Sequence, residues 1–246
     1  MLQKLLISFF LLLGISVRSQ TVVINEIDAD TPGFDVAEFV ELKSFDSNGI
    51  ALPNYPLDGY VLVFYNAGST PFLGTTCYYS IDLDGLVTDV NGLILIGNLG
   101  VSPSPFRFFP SNTLQNGPDV VALYIGNDTD FLIGSTATNT NLVSALAYSN
   151  ASNTQPTTLM SILNLTICIN ENATSNASNH SIQRKNDGSY EVKTPTPAFN
   201  NDGSGIPINY ITVSFPQTSF NEGDSFNITF TTSQPVQTEN LIMNFT

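Results

Sequence analysis

The sequence predicts an all-β protein, and three observations carry that prediction. Apolar residues gather in short runs, at 22–27, 37–42, 60–65, 77–83, 93–96, 120–125 and 142–148. Runs of this length suit strands, since a stable helix needs about ten residues or more. Between them stand Asp58-Gly59, Asp84-Gly85, Asn91-Gly92 and Asn116-Gly117, pairs that tolerate the positive φ of tight hairpins. The composition, with 17 Gly, 14 Pro, 9 Tyr and 17 Phe, favours strands joined by turns. Helical periodicity is absent after residue 20, and many short strands with regular turns argue a sandwich or barrel.

Taken in order, VVINEIDADTPGFDVAEFVEL at 22–42 reads as two strands separated by an acidic turn with Pro32 and Gly33. The runs YVLVFY and LILIG are apolar on both faces, as expected of inner strands covered on each side. Residues 149–180 are rich in Ser, Asn and Thr around an apolar island at 159–169, and read as a long loop bracketing one buried strand. Small polar residues at 202–207 read as a flexible linker. Beyond it, strands are expected at 210–215, 226–230 and 241–245. Three strands make only a marginal sheet, so 208–246 is expected to be part of a β module whose natural chain continues.

The first 19 residues stand apart. Lys4, an eleven-residue apolar core and small or apolar residues at 17 and 19 describe a secretory signal peptide cut after Ser19. The core spans only about half of the roughly 30 Å hydrocarbon layer, so secretion without membrane insertion is expected, to the extracellular space or cell surface. Removing the leader takes Lys4 and Arg18, leaving five Lys and Arg against 21 Asp and Glu, a net charge of −16. Such a surface repels nucleic acid, whose binding rests on Lys and Arg neutralising phosphates, and attracts cations such as Ca²⁺. Apolar residues are 42% of the chain, so it is not a disordered acidic tail.

The blocks VVINEIDADTPGFDVAEFVEL, LDGYVLVFYN, SIDLDGLVTDVNGLILIGN, QNGPDVVALY and SIQRKNDGSYEVKTPTPAFNN occur in that order. Together they resemble the lamin tail domain family, in its secreted branch, across residues 20–201. The resemblance implies an immunoglobulin-like β-sandwich. Two features depart from the family pattern: Ala198-Phe199, where the family shows a small residue in both places, and the long polar segment 149–180. Residues after 207 are similar to the start of a Calx-beta-like or immunoglobulin-like module. Lamins also carry a coiled-coil rod, a nuclear localisation signal and a prenylation box, none of which stands here, so their nuclear role does not transfer.

Candidate sites are few. Glu26, Asp28, Asp30, Asp35, Glu38 and Glu41 form an acidic cluster. Asp28-Ala29-Asp30 with Gly33 begins like an EF-hand loop but fails at its fifth position, Pro32, and its twelfth, Phe39. A weak Ca²⁺ site at Asp28, Asp30 and Asp35 is the remaining metal candidate, with solvated turn carboxylates as the simpler reading. Glu38 and Glu41, an odd number apart on a strand, face opposite sides. Asp82, Asp84, Asp89 and Asn91 read as hairpin chemistry. His180 is the only histidine and has no partner in the sequence for a catalytic triad, and no GxSxG, HExxH, P-loop or CxxC motif is present. Cys77 and Cys168, in an export context, either form a disulfide or are two buried thiols. Sequons at Asn127, Asn150, Asn164, Asn172, Asn176, Asn179, Asn227 and Asn244 are glycosylation acceptors if the source is eukaryotic. The sequence thus predicts no catalytic set and no cofactor. It predicts a secreted binding or structural module with an extracellular protein or glycan partner. Its alternatives are a Ca²⁺-assisted adhesion or matrix protein and the accessory domain of a larger secreted hydrolase or nuclease.

Overall fold

The computed structural model describes residues 21–205 throughout and, beyond them, 211–214, 219, 221–223, 225 and 227–232. The expected leader, the expected strand 241–245 and the sequon at Asn244 lie outside the described residues. The chain divides into two compact units at Ser204–Gly205, a point inside the expected linker.

In the first unit the strands are β1 (Thr21–Asp28), β2 (Phe39–Phe45), β3 (Tyr60–Asn66), β4 (Thr76–Asp82), β5 (Leu93–Gly97), β6 (Arg107–Phe108), β7 (Asp119–Ile125), β8 (Leu142–Ser149), β9 (Cys168–Asn170), β10 (Ser181–Arg184) and β11 (Tyr190–Lys193). Seven match the apolar runs of the sequence; β6, β9, β10 and β11 are short and lack such runs. They form a six-stranded sheet in the order β11-β10-β1-β2-β5-β6 and a five-stranded sheet in the order β4-β3-β7-β8-β9. Pairing is antiparallel except between β5 and β6 and between β8 and β9. The protein is all-β in its framework.

The main core is filled from both sheets. Val22, Ile24, Ile27, Val40, Leu42, Ile94, Ile96 and Ile182 come from one, and Leu62, Phe64, Val121, Leu123 and Leu146 from the other. Phe64 and Phe109 meet edge to face with centroids 5.6 Å apart, a pairing worth about 0.5–1.5 kcal/mol beyond burial.

The reverse face of the five-stranded sheet is also apolar, which explains YVLVFY. Val61, Val63, Tyr65, Val120, Ala122 and Tyr124 lie under Phe131, Ala137, Leu159, Met160 and Leu163. The last three belong to or adjoin α1 (Thr157–Ile162). Here the expectation of a single buried strand in an otherwise irregular 149–180 loop is corrected: the apolar island forms a short helix and then β9. Six residues with Leu159 and Met160 buried are too few for helical periodicity to register, and tertiary packing rather than propensity holds so short a helix.

Of the two readings for the cysteines the structure takes the free thiols, with Cys77 buried and Cys168 half-buried. They sit on β4 and β9, the two edges of one sheet. Four inter-strand steps of about 4.8 Å separate those strands by roughly 19 Å, whereas a bridge needs Cα atoms within about 7 Å. Burial pushes the Cys168 thiol up to about 11 and raises that of Cys77, so neither is a ready thiolate.

The second unit contains β12 (Ile211–Ser214) paired antiparallel with β13 (Thr229–Thr232); β12 lies within the expected strand 210–215, and β13 overlaps the end of the expected strand 226–230 and runs past it.

With both thiols free and buried or half-buried, excess dithiothreitol should leave the melting temperature unchanged to within about 1 °C. A thiol reagent should modify two cysteines per chain only after denaturation. Loss of several degrees under reduction would reinstate the disulfide.

Candidate functional site

The outer face of the six-stranded sheet owes its character to a bulge. Strict alternation would place Glu26 on the same face as Val22 and Ile24, inside the apolar core. The β1–β2 register instead shifts between Ile24 and Glu26, so Asn25 is the extra residue and Glu26 turns outward. There it lies opposite Glu41 on β2 and Gln183 on β10. Glu26 and Glu41 are both fully buried.

What buries them is a strap that follows β11. Glu26 Oε1 accepts from Thr196 N (2.8 Å), Ser181 Oγ (2.6 Å) and Gln183 Nε2 (3.2 Å), and its Oε2 from Thr196 Oγ1 (2.7 Å). Glu41 Oε2 accepts from Ala198 N at 2.6 Å and Oε1 from Asn25 Nδ2 at 2.7 Å. Burial pushes both carboxyls above the usual range, for Glu41 with the Glu26 charge as the next cause. Bonds to a charged acceptor contribute about 1.5–3 kcal/mol each, so the strap offsets part of the desolvation cost.

Where the strap ends, it frames a pocket of about 190 Å³ lined by Asn25, Lys43, Phe45, Arg184, Lys185, Asn186, Glu191, Lys193, Asn201 and Asp202. Lys43 Nζ donates to Asn200 Oδ1 at 2.6 Å and Lys193 Nζ to Asn201 O at 2.7 Å. The β2 and β11 lysines thus hold the strap and keep further N–H donors, three being present on each ammonium. Lys43 and Arg184 lie over the Phe45 ring at 5.4 and 5.5 Å from its centroid, a geometry that orients both cations.

The charge balance is unlike that of the rest of the chain. Of the five Lys and Arg after residue 19, four line this one pocket. Lys193 pairs with Glu191 at 3.0 Å and Lys185 with Asp187 at 3.8 Å, both on the surface, where such pairs contribute about 0–1 kcal/mol. Among the described residues, Lys43 and Arg184 form no ion pair. Partial burial lowers the Lys43 pKa. In a chain with a fourfold excess of acids, two cations without a carboxylate partner leave an anion-receptive surface. The fifth cation, Arg107, lines a groove of about 320 Å³ with Tyr79, Phe106, Phe108, Asp82 and Asp128.

The sequence-predicted metal candidate is dispersed. Asp28 is turned inward and buried, while Asp35 Oδ1 is occupied by Thr31 N at 2.9 Å. Among the described residues no three His, Cys, Asp or Glu side chains form a group able to hold a metal ion. Asp28, Asp30 and Asp35 therefore do not make the expected site. Asp28 meets Glu171, from the 149–180 segment, a residue that no sequence motif singles out. Glu171 Oε1 accepts from Ala29 N at 2.9 Å and pins that segment to the end of β1. Asp28 Oδ1 and Glu171 Oε2 are buried without a hydrogen-bond partner. Burial, and for Asp28 the neighbouring Glu171 charge, push their carboxyls up to about 9 and about 8.

The remaining candidates are structural. Glu38 Oε2 accepts from Thr113 N and Leu114 N on the side away from Glu41, as the odd spacing requires. Asp82 and Asp89 cap turns through Asp84 N and through Asn91 N and Leu93 N. His180 bonds Thr174 Oγ1 at 2.7 Å and Asn176 Nδ2 at 3.4 Å. Asn127, Asn164, Asn172, Asn176, Asn179 and Asn227 are exposed and Asn150 is half-buried. The pocket residues themselves escaped the sequence reading; the one available signal was the rarity of Lys and Arg, three of which fall within 184–193.

Compared with family models, with curated proteins and with solved structures, the chain gives no match.

The raised carboxyls fix a pH dependence. Asp28 and Glu171 stand at about 9 and 8, and burial holds Glu38 and Asp119 near 7, against about 4 in an unfolded chain. The folded state therefore binds the extra protons. This contribution is complete below about pH 4 and is lost as pH rises through 7–9. Stability to urea should fall between pH 5 and pH 9. Glu171→Gln, which keeps the acceptor for Ala29 N, should flatten that slope and raise the melting temperature at pH 8. A stability that climbs from pH 5 to 9 would contradict the assignment.

Proposed function

We propose that this chain is a secreted or cell-surface module of the lamin tail domain type, an immunoglobulin-like β-sandwich that binds an extracellular partner rather than catalysing a reaction. The observation that carries the binding reading is the gathering of four cations in one pocket of an otherwise acidic chain. Support for the type comes from the first and last of the resembling blocks. They meet across 157 to 170 residues of sequence, the closing TPTPAFNN segment resting on Glu26 and Glu41 of the opening one. In this reading the partner offers an anionic group, and the framework around Phe45 holds the donors in place before it arrives, which limits the ordering cost of binding.

Nucleic acid is not the ligand in this reading. With a mature net charge of −16 the rest of the surface repels a phosphate backbone, and the pocket admits one small group. Among the described residues no helix is long and apolar enough to cross a membrane, and the module acts from the aqueous side.

Backbone NMR of the full chain tests the reading. Sodium sulfate, titrated against sodium chloride at matched ionic strength, should shift signals of Lys43, Phe45, Arg184, Lys193 and Asn201 and leave those of Arg107 unmoved. Arg184→Gln combined with Lys185→Gln should weaken the response at least fivefold. A response that is spread over the surface, or unchanged in the double variant, overturns the proposal.

A further inference from the structure

The pocket's lining is more specific than its charge. An ideal receptor for a bare oxyanion would present donors only. This one sets the carboxylates Glu191 and Asp202 among its four cations, adds the amides of Asn25, Asn186 and Asn201, and includes the Phe45 ring. A carboxylate accepts and does not donate, and beside a bound anion it repels, so although Glu191 pairs with Lys193 and Asp202 caps its own turn, the lining suits a ligand that also carries O–H donors better than a bare anion. Amides, which donate and accept, suit hydroxyl groups equally. Cations for one end, acceptors and amides for several hydroxyls, and an aromatic face together describe a polyhydroxylated ring bearing one acid group.

Size narrows it further. At about 190 Å³ the pocket falls below the roughly 300–1,000 Å³ of sites for drug-sized ligands, and a single sugar ring is the polyhydroxylated ligand of that scale. Two parts of the lining are fixed by the fold. Asn25 Nδ2 is held by Glu41 Oε1 at 2.7 Å and Asn201 Oδ1 at 3.1 Å. Asn201 Nδ2 in turn donates to Asn25 O at 3.0 Å and Arg184 O at 2.9 Å. These bonds leave the Asn25 side-chain oxygen free for a hydroxyl. Asp202 is preset as well: Oδ1 accepts from Ser204 N and Oγ and Oδ2 from Asn186 Nδ2, contacts that hold its carboxyl well below the usual range. Glu191, tied only to Lys193 at 3.0 Å, is the acceptor with lone pairs to spare.

We infer that the pocket recognises a uronic acid residue of an extracellular glycan, its carboxylate against Arg184 and Lys43 and its hydroxyls against Glu191, Asn25 and Asn186. The inference rests on the anion-binding reading above and adds the sugar.

Calorimetric titration of the full chain with sodium glucuronate, glucose and sodium acetate separates the two levels. Glucuronate binding at least tenfold tighter than either glucose or acetate is the expected result. Acetate binding as tightly as glucuronate overturns the sugar assignment and leaves the anion site standing; no binding of either acid overturns both. Glu191→Gln gives an independent reading. Removing a negative charge should strengthen acetate binding two- to threefold if charge alone matters, and the same substitution should weaken glucuronate binding several-fold. A gain for both ligands overturns the proposal. Galacturonate and hyaluronan oligosaccharides as further arms distinguish a wall-type from a matrix-type polymer. Binding of either sustains the inference, and binding of neither, with the free acid bound, overturns its glycan form.

Discussion

Two glutamates that no water reaches hold the outer face of this protein together. Glu26 and Glu41 stand opposite each other on neighbouring strands, a placement that in isolation is repulsive and costly, because each carboxylate loses its hydration and faces a like charge. The strap resolves this by delivering Thr196 N, Thr196 Oγ1 and Ala198 N to three of the four oxygens. Breaking one side of such an arrangement leaves an uncompensated buried charge, which costs about 3–5 kcal/mol. The strap therefore cannot lift without exposing the penalty it covers. Its path, and with it the position of Asn200, Asn201 and Asp202, is fixed by charge rather than by apolar packing.

The pocket is a consequence of that path. Lys43 and Lys193 reach the strap from β2 and β11 because its turn presents Asn200 Oδ1 and the Asn201 carbonyl to them. A partly desolvated ammonium needs such acceptors, and neutral ones satisfy the donors without cancelling the charge. The strap's one carboxylate at the pocket, Asp202, is engaged by Ser204 and Asn186, so the four cations there outnumber the two acids, Glu191 and Asp202. The same face thus carries a buried negative pair and, one turn further along the strap, a surface held positive. The two lie on the β1–β2 ladder within a few residues of each other, Glu41 and Lys43 being on one face of β2.

Much of the framework was legible. The β1, β2, β3, β4, β5, β7 and β8 strands are apolar runs between turn residues, and the doubly apolar character of YVLVFY announced a sheet covered on both sides. The cover was not legible: six residues of α1 give less than two helical turns, and β6, β9, β10 and β11 owe their existence to neighbours rather than to pattern. For the site, the residues singled out in the sequence, 26–41, adjoin the pocket without lining it, and the weak Ca²⁺ candidate among them is not assembled. Asp28, Asp30 and Asp35 were grouped by proximity in sequence, but Asp28 points to Glu171, 143 residues away, and Asp35 caps its own turn. The deeper reason is the bulge at Asn25. One inserted residue reverses the face of Glu26, and period-two reasoning has no means of locating it.

The closing block contains a further mark of the same constraint. Ala198 adopts φ +64°, a left-handed conformation that costs a residue with a Cβ about 1–2 kcal/mol, and it is almost wholly buried. The strain persists because the turn aims Ala198 N at Glu41 Oε2, a bond made to a buried carboxylate and worth more than the distortion. Ala198→Gly should keep the hydrogen bond, relieve the strain and forgo one methyl group of burial, a net stabilisation of about 0.5–1 kcal/mol. For a unit of this size that is a rise of about 1–4 °C in melting temperature. Glu41→Gln in the Ala198→Gly background supplies the check. If the carboxylate is what sustains the left-handed turn, the gain from glycine should grow when the charge is removed, because the alanine turn then has less to hold it. Equal gains in both backgrounds would show that the turn is imposed by the strap alone.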